Sequence, residues 1–252
     1  MSPDPLRIDF PGLEVPEVRG PRSTNEPWEP PARRFRPFRC LRRLLGYLFM
    51  AGVILVLPFF LLVRVSVFLL HRYDLGSWTA LGGAAGATAI LLVLYLVVAS
   101  LRLGGKGRIP GFLWKGTVAL VVAYCLYALL VVSNGNVKSP EVRATFTSLN
   151  PILRVGVSTL LLADHDAVLT DAARTLEDYS AWGLEVNEAS LHLRQPDGFA
   201  YAVDLRTRGR PEWQNHLVQV YFQIMGFRTL RHVGTADHLH VSLAPGPSQL
   251  RD

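Results

Sequence analysis

Two histidines, His238 and His240, stand two residues apart in the segment DHLHVSL (237–243), whose alternating apolar residues predict a β-strand. Residues i and i+2 of a strand share a face, so both imidazoles project from the same side. Imidazole is a common ligand for divalent metals. A catalytic zinc takes three nitrogen or oxygen ligands, keeps a fourth position for water, and needs a carboxylate nearby to accept that water's proton. His192 in SLHLR (190–194) and Asp204 in YAVDL (201–205) offer the missing donor types, which makes His192, Asp204 and His240 the candidate ligands and Asp237 the candidate base. His165, His216 and His232 lack such neighbours and are expected to be surface or packing residues.

The elements expected to position these groups lie in the second half of the chain. Apolar spacing predicts a helix from Ala144 to Leu162, a strand in AVLT near residue 168 and a second helix over Thr175–Trp182. YAVDL has the pattern of a buried strand. Pro211 suits a helix start and Gly226 a helix stop, so EWQNHLVQVYFQIMGF reads as one helix between them. RTLRHV and HLHVSL follow as two strands paired through the turn VGTAD. The expected fold is an α+β domain with a small antiparallel sheet over residues 144–246, with a short tail at 247–252. Trp182, Trp213, Tyr201 and Tyr221 are read as core aromatics before any groove-lining role.

The first half has different chemistry. Of 252 residues half are apolar, concentrated between Leu44 and Ser133. Residues 1–42 are rich in Pro and Arg and poor in large aliphatics, the composition of a disordered tail. Residues 43–133 predict three membrane-spanning helices, at about 44–70, 77–101 and 113–133 by sequence pattern, each long enough for a hydrocarbon core of about 30 Å. Pro58 is expected to kink the first, and Arg64 to snorkel toward an interface. Gly82 and Gly86 have helix-packing spacing in the second. The spans lack the paired ionisable residues of a transport path, which points to an anchor. A polar linker, NGNVKSPEV, opens residues 134–143.

Charge sets the expected orientation. Arg33, Arg34, Arg36, Arg39, Arg42 and Arg43 precede the first span, and Arg102, Lys106, Arg108 and Lys115 mark the second connection. The positive-inside rule puts both in the cytoplasm, and three spans carry the C-terminal domain to the outer face. The long polar tail ahead of the first apolar run argues against a cleaved signal peptide. The formal net charge of +6 is largely accounted for by these flanks, so it fixes topology and touches lipid headgroups; nucleic acid is not an expected partner. Cys40 and Cys125 are the only cysteines and offer the domain neither a disulfide nor a metal motif.

Four motifs in order, VLTDAARTLED (168–178), SLHLR, YAVDL and DHLHVSL, resemble those of the zinc D-alanyl-D-alanine carboxypeptidases and murein endopeptidases, which share the hedgehog/DD-peptidase fold. In that group an Arg follows the first strand, a Ser-x-His precedes an Ala-x-Asp, and an acidic residue stands three before the last His. The resemblance implies that His192, Asp204 and His240 bind Zn2+ and that Asp237 acts as general base and acid. It implies that Arg174 binds a substrate carboxylate or peptide carbonyl, and that Ser190 and His238 support substrate or intermediate. The implied activity is hydrolysis of peptidoglycan peptides by a multi-pass protein of the bacterial cytoplasmic membrane, with its catalytic domain outside.

This chain departs from the pattern by an insertion, QPDGFA, between SLHLR and YAVDL. A second alignment puts Asp197, seven residues before Asp204, at the first ligand position; Ser190 and the Leu193-Arg194 pair favour His192. Two other functions compete with hydrolysis: a catalytically silent sensor or scaffold that binds wall peptides, and a structural membrane protein whose outer domain contacts another protein.

Overall fold

The computed structural model describes residues 37–250 apart from 105, 106, 108, 182, 184, 186, 235 and 236, so the expected disorder of residues 1–36 and the aromatic role of Trp182 lie outside the described residues. The chain divides into two units, 1–47 and 48–252. Of the first, the described part is the beginning of a helix.

Among the described residues, three helices are long and apolar enough to cross a membrane. Helix α1 runs Pro37–Tyr73, α2 Ser77–Arg102 and α3 Gly111–Leu130. Their apolar stretches have mean hydropathies of 2.8, 2.3 and 1.7. At about 1.5 Å per residue even the shortest matches a hydrocarbon core of about 30 Å. Helix α3 ends three residues before the expected limit of Ser133, and Val131 is already extended.

That early end has a cause in the next long helix. Helix α5 (Pro151–Ala163) is buried along most of its length, yet it carries Arg154 and Ser158 among its apolar residues. Arg154 Nη1 donates to the Leu129 carbonyl at 2.8 Å and Ser158 Oγ to the Ala128 carbonyl at 2.8 Å. These are carbonyls of the last turn of α3, which no intrahelical N–H can reach, and a guanidinium there also meets the negative end of the helix dipole. Asn150 caps α5 through Ile152 N and donates to Ser77 Oγ, at the start of α2, at 2.6 Å. The domain is thus pinned to α2 and α3 by polar side chains.

The linker expected at 134–143 is part of the fold. Asn134–Asn136 forms a 3-10 turn, and Asn136 Nδ2 donates to the carbonyls of His165 and Ala167 at 2.8 and 2.9 Å. The single helix expected over 144–162 is two: α4 (Pro140–Thr145), a 3-10 turn at Phe146–Ser148, then α5. Pro151 has no N–H to continue a helix and forces Asn150 out of the helical region, so Asn-Pro begins a helix that apolar spacing alone runs through. Of the tail expected at 247–252, Pro247–Gln249 forms a 3-10 turn, and buried Gln249 donates to the Leu75 carbonyl.

The sheet has four antiparallel strands in the order β1 (Leu169–Asp171), β2 (Ala202–Arg206), β4 (His238–Ser242), β3 (Arg228–His232). Helix α6 (Leu176–Ala181) follows β1, and α7 (Glu212–Met225) joins β2 to β3. One face of the sheet, with Val203, Leu205, Leu239 and Val241, enters a core shared with Ile152, Leu153, Val218, Phe222 and Met225. The same core takes Leu62, Val63, Val67 and Leu70 from α1, so the second half of that helix is a wall of the domain. Gly226 ends α7 at φ 99°, and a Cβ there would approach Val67 Cγ1 of α1 to 2.9 Å. The position therefore needs glycine twice over, for its left-handed backbone and for the helix packed upon it.

Candidate metal centre

The opposite face of the sheet carries the chemistry. Asp204 pairs with His240 across β2 and β4, and Arg206 pairs with His238, so these four side chains share one side. A register shift between Leu169 and Asp171 on β1 places Asp171 beside Asp204.

His192 reaches this face from a loop held at several points. Its carbonyl accepts from Arg174 N at 2.8 Å, and its Nδ1 lies 2.6 Å from the Ala172 carbonyl. Because a carbonyl only accepts, Nδ1 carries the proton and Nε2 presents its lone pair to the site. The QPDGFA insertion closes on itself: Gln195 N donates to Phe199 O, Gly198 turns at φ 82°, and Tyr201 N returns to Leu191 O at 2.7 Å. Asp197 is absorbed in that closure, accepting from Phe199 N and from the Tyr201 hydroxyl at 2.6 Å. The group of potential ligands among the described residues is His192, Asp204 and His240, and Asp197 is not in it.

Three atoms converge. His192 Nε2 lies 3.3 Å from His240 Nδ1 and 3.3 Å from Asp204 Oδ1, and the latter two are 2.9 Å apart. Ligands about 2.0–2.1 Å from a tetrahedral zinc stand about 3.3–3.4 Å from one another, so the triangle fits one face of such a site with the shortest edge widening by about 0.4 Å. His192 and Asp204 are buried and His240 is half-buried, which leaves an open direction. The group could hold a metal ion.

The electrostatics favour a cation. Burial acts to lower the His192 pKa, but the hydrogen bond and charge of Asp204 prevail and hold the imidazole above its ordinary value. Burial likewise acts to raise the Asp204 pKa, and without a metal the hydrogen bonds from His192, with Nε2 then also protonated, and from His240 outweigh it, keeping the carboxyl far below the usual carboxylate range.

The other expected residues surround this triangle in differing states. His238 Nε2 is 3.7 Å from Asp204 Oδ2, with its ring stacked on His232 at 4.7 Å between centroids. Arg174 donates from Nε and Nη2 to Asp171 Oδ2 at 2.6 and 2.5 Å and stands 3.6 Å from Asp204 Oδ2. Ser190 Oγ faces the backbone N of His192 at 3.4 Å. Asp237 lines the same cavity as Asp204, about 530 Å³ in volume, but its oxygens accept from Thr207 Oγ1 at 2.7 Å and from Arg231 at 2.7 and 2.9 Å. Those bonds hold the Asp237 carboxyl below the ordinary value. The expectations at His165 and His216 gain no site role, Tyr201 is fully buried as a core aromatic, and Trp213 is exposed.

Sequence reasoning passed over Asp171, Thr207 and Arg231, whose roles depend on strand register and a β3–β4 contact. It also passed over Arg206 and Arg208, although their spacing of two and four residues after Asp204 in DLRTR is a strand-period signal. A larger cavity of about 720 Å³ lies among the three long helices, lined by apolar residues such as Ile54, Pro58, Phe59 and Leu92, and holds no titratable cluster.

Compared with protein-family models the chain matches none, and comparisons with curated proteins and with solved structures likewise give no match.

Proposed function

We propose that this protein is a membrane-anchored, zinc-dependent peptidase of the hedgehog/DD-peptidase type, hydrolysing peptidoglycan peptides on the outer face of the cytoplasmic membrane. The observation that carries the reading is the triangle of His192 Nε2, Asp204 Oδ1 and His240 Nδ1, with edges of 2.9–3.3 Å and one ring fixed by the Ala172 carbonyl. Zinc held by His192, Asp204 and His240 would supply Lewis-acid polarisation of a peptide carbonyl and activation of water.

The chain's own residues supply the rest. Asp237, in the lining of the same cavity, is the proton carrier, and Arg231 and Thr207 fix the orientation of its carboxylate. Arg174 neutralises Asp171 and steadies Asp204, an electrostatic role that complements any contact with substrate. His238 lines the cavity, close enough to Asp204 to bear on the charge that develops near the ligands.

Metal-loaded full-length protein incubated with purified wall fragments, followed by mass analysis, should release D-alanine or split crosslinks. Asp237→Asn should retain zinc and lose at least about 100-fold in turnover. A second reading, a silent wall-peptide-binding relative, is favoured by the strong pairing of Asp237 with Arg231, which lowers its basicity. Zinc bound at one equivalent with no product from either crosslinked or uncrosslinked fragments would select it.

A further inference from the structure

The cavity beside the ligand triangle contains three carboxylates, Asp171, Asp204 and Asp237. Each is committed: Asp171 to Arg174, Asp204 to the imidazoles, Asp237 to Arg231. The same cavity is lined by Lys138, Arg206 and Arg208, all exposed, and among the described residues these three form no ion pair. Arg174 and Arg231 neutralise Asp171 and Asp237, so Lys138, Arg206 and Arg208 add three positive charges to a cavity whose remaining carboxylate is Asp204.

The three come from separate places that the fold brings together. Arg206 lies on the ligand-bearing face of β2, two residues from Asp204, and Arg208 follows in the turn after it. Lys138 is held by its backbone N on the Leu169 carbonyl at 2.8 Å, against β1. Exposed cations that line a cavity and form no ion pair with its carboxylates retain attraction for an incoming anion, and adding a divalent ion strengthens it.

Resting on the peptidase reading above, we propose that Lys138, Arg206 and Arg208 form a specificity rim that recognises a carboxylate on the peptide substrate, at a residue other than the one whose bond is cut. Arg174, held by Asp171 and Asp204, attends to the ligands, and the rim selects acidic peptides over their amidated counterparts. The preference is electrostatic, so it weakens with salt and acts more through affinity than through the rate of the chemical step.

The test uses full-length, zinc-loaded protein in nanodiscs of neutral lipid. The probes are two fluorescent peptide analogues ending in D-Ala-D-Ala, with a ketomethylene group in place of the scissile amide. They differ only in glutamate against glutamine upstream of that group. The glutamate probe should bind about tenfold more tightly at low salt, the size expected of two or three partly solvated ion pairs. The advantage should shrink in 0.5 M salt and fall below about twofold in a Lys138→Gln, Arg206→Gln, Arg208→Gln variant.

A variant with Arg206→Lys and Arg208→Lys should keep most of the advantage, and zinc content should match wild type in both variants. Equal affinity for the two probes in wild type overturns the proposal, as does an acid preference that survives the triple substitution. A triple variant that loses only adhesion to anionic-lipid nanodiscs, with no change between probes, also overturns it and makes the rim a membrane contact. If the acid preference behaves as expected while the corresponding amide peptides are not hydrolysed, the rim stands and the peptidase reading falls.

Discussion

Two buried polar clusters in this protein follow opposite rules. Where α5 meets α2 and α3, each polar side chain is matched to a backbone or hydroxyl group that lacked a partner: Arg154 to Leu129 O, Ser158 to Ala128 O, Asn150 to Ser77. Donors meet acceptors, and apart from Arg154 Nε, which is buried without a partner, the cluster closes. At the other cluster, a lone pair of His192, an oxygen of Asp204 and a nitrogen of His240 point toward a common centre at 2.9–3.3 Å. Acceptor groups facing one another call for a proton or a metal ion between them. Closed polar clusters hold a fold together, whereas convergent ones mark a place for a ligand.

The sharpest way to break the contrast is to remove one member of the convergent cluster. His240→Ala should weaken zinc binding by more than roughly 100-fold, beyond the losses typical of supporting residues, with helix content unchanged in circular dichroism. Retention of a full zinc equivalent after dialysis would show that the triangle is not the metal site. The same variant should leave thermal stability of the zinc-free protein within about 1 kcal/mol of wild type, because His240 is half-buried on the open face.

Substitution in the closed cluster should do the reverse. Arg154→Ala leaves the Leu129 carbonyl without its donor and removes the guanidinium lying 5.8 Å from the Trp78 ring centre. A loss of about 2–3 kcal/mol is expected, read as a lower unfolding midpoint in detergent, while zinc content stays at the wild-type level. If Arg154→Ala instead released zinc without destabilising the protein, the two clusters would be energetically one.

The closed cluster was the harder to see in sequence. Arg154 and Ser158 look like interruptions of an apolar helix, and their purpose depends on the end of α3, more than twenty residues earlier. Asn136 read as linker because its partners, the carbonyls of His165 and Ala167, are about thirty residues away. The convergent cluster was more legible, since strand periodicity alone puts His238 and His240 on one face and makes YAVDL a buried strand. The arrival of His192 depends on a loop closed by Gly198 and Asp197, which composition marks as a turn but whose ends only the fold brings together. The long spans were plain from hydropathy, whereas the use of Leu62, Val63, Val67 and Leu70 as domain core was hidden by it, because lipid-facing and core-facing leucines and valines have the same chemistry.

The smallest expected effect concerns a residue between the two rules, Asp237, which sits in the cavity of the convergent cluster but is closed off by Arg231 and Thr207. Its pKa is lowered first by the hydrogen bond from Arg231, then by Thr207, with His238 also facing it and Glu212 on the far side of Arg231. Arg231→Gln removes the leading contribution, so the Asp237 pKa should rise toward its ordinary value. A base must be deprotonated to act, and the acidic limb of kcat/KM should therefore move to higher pH by less than about one unit, with zinc content unchanged. A limb that stays in place would mean that a group other than Asp237 governs it, and would shift the proton-carrying role away from Asp237.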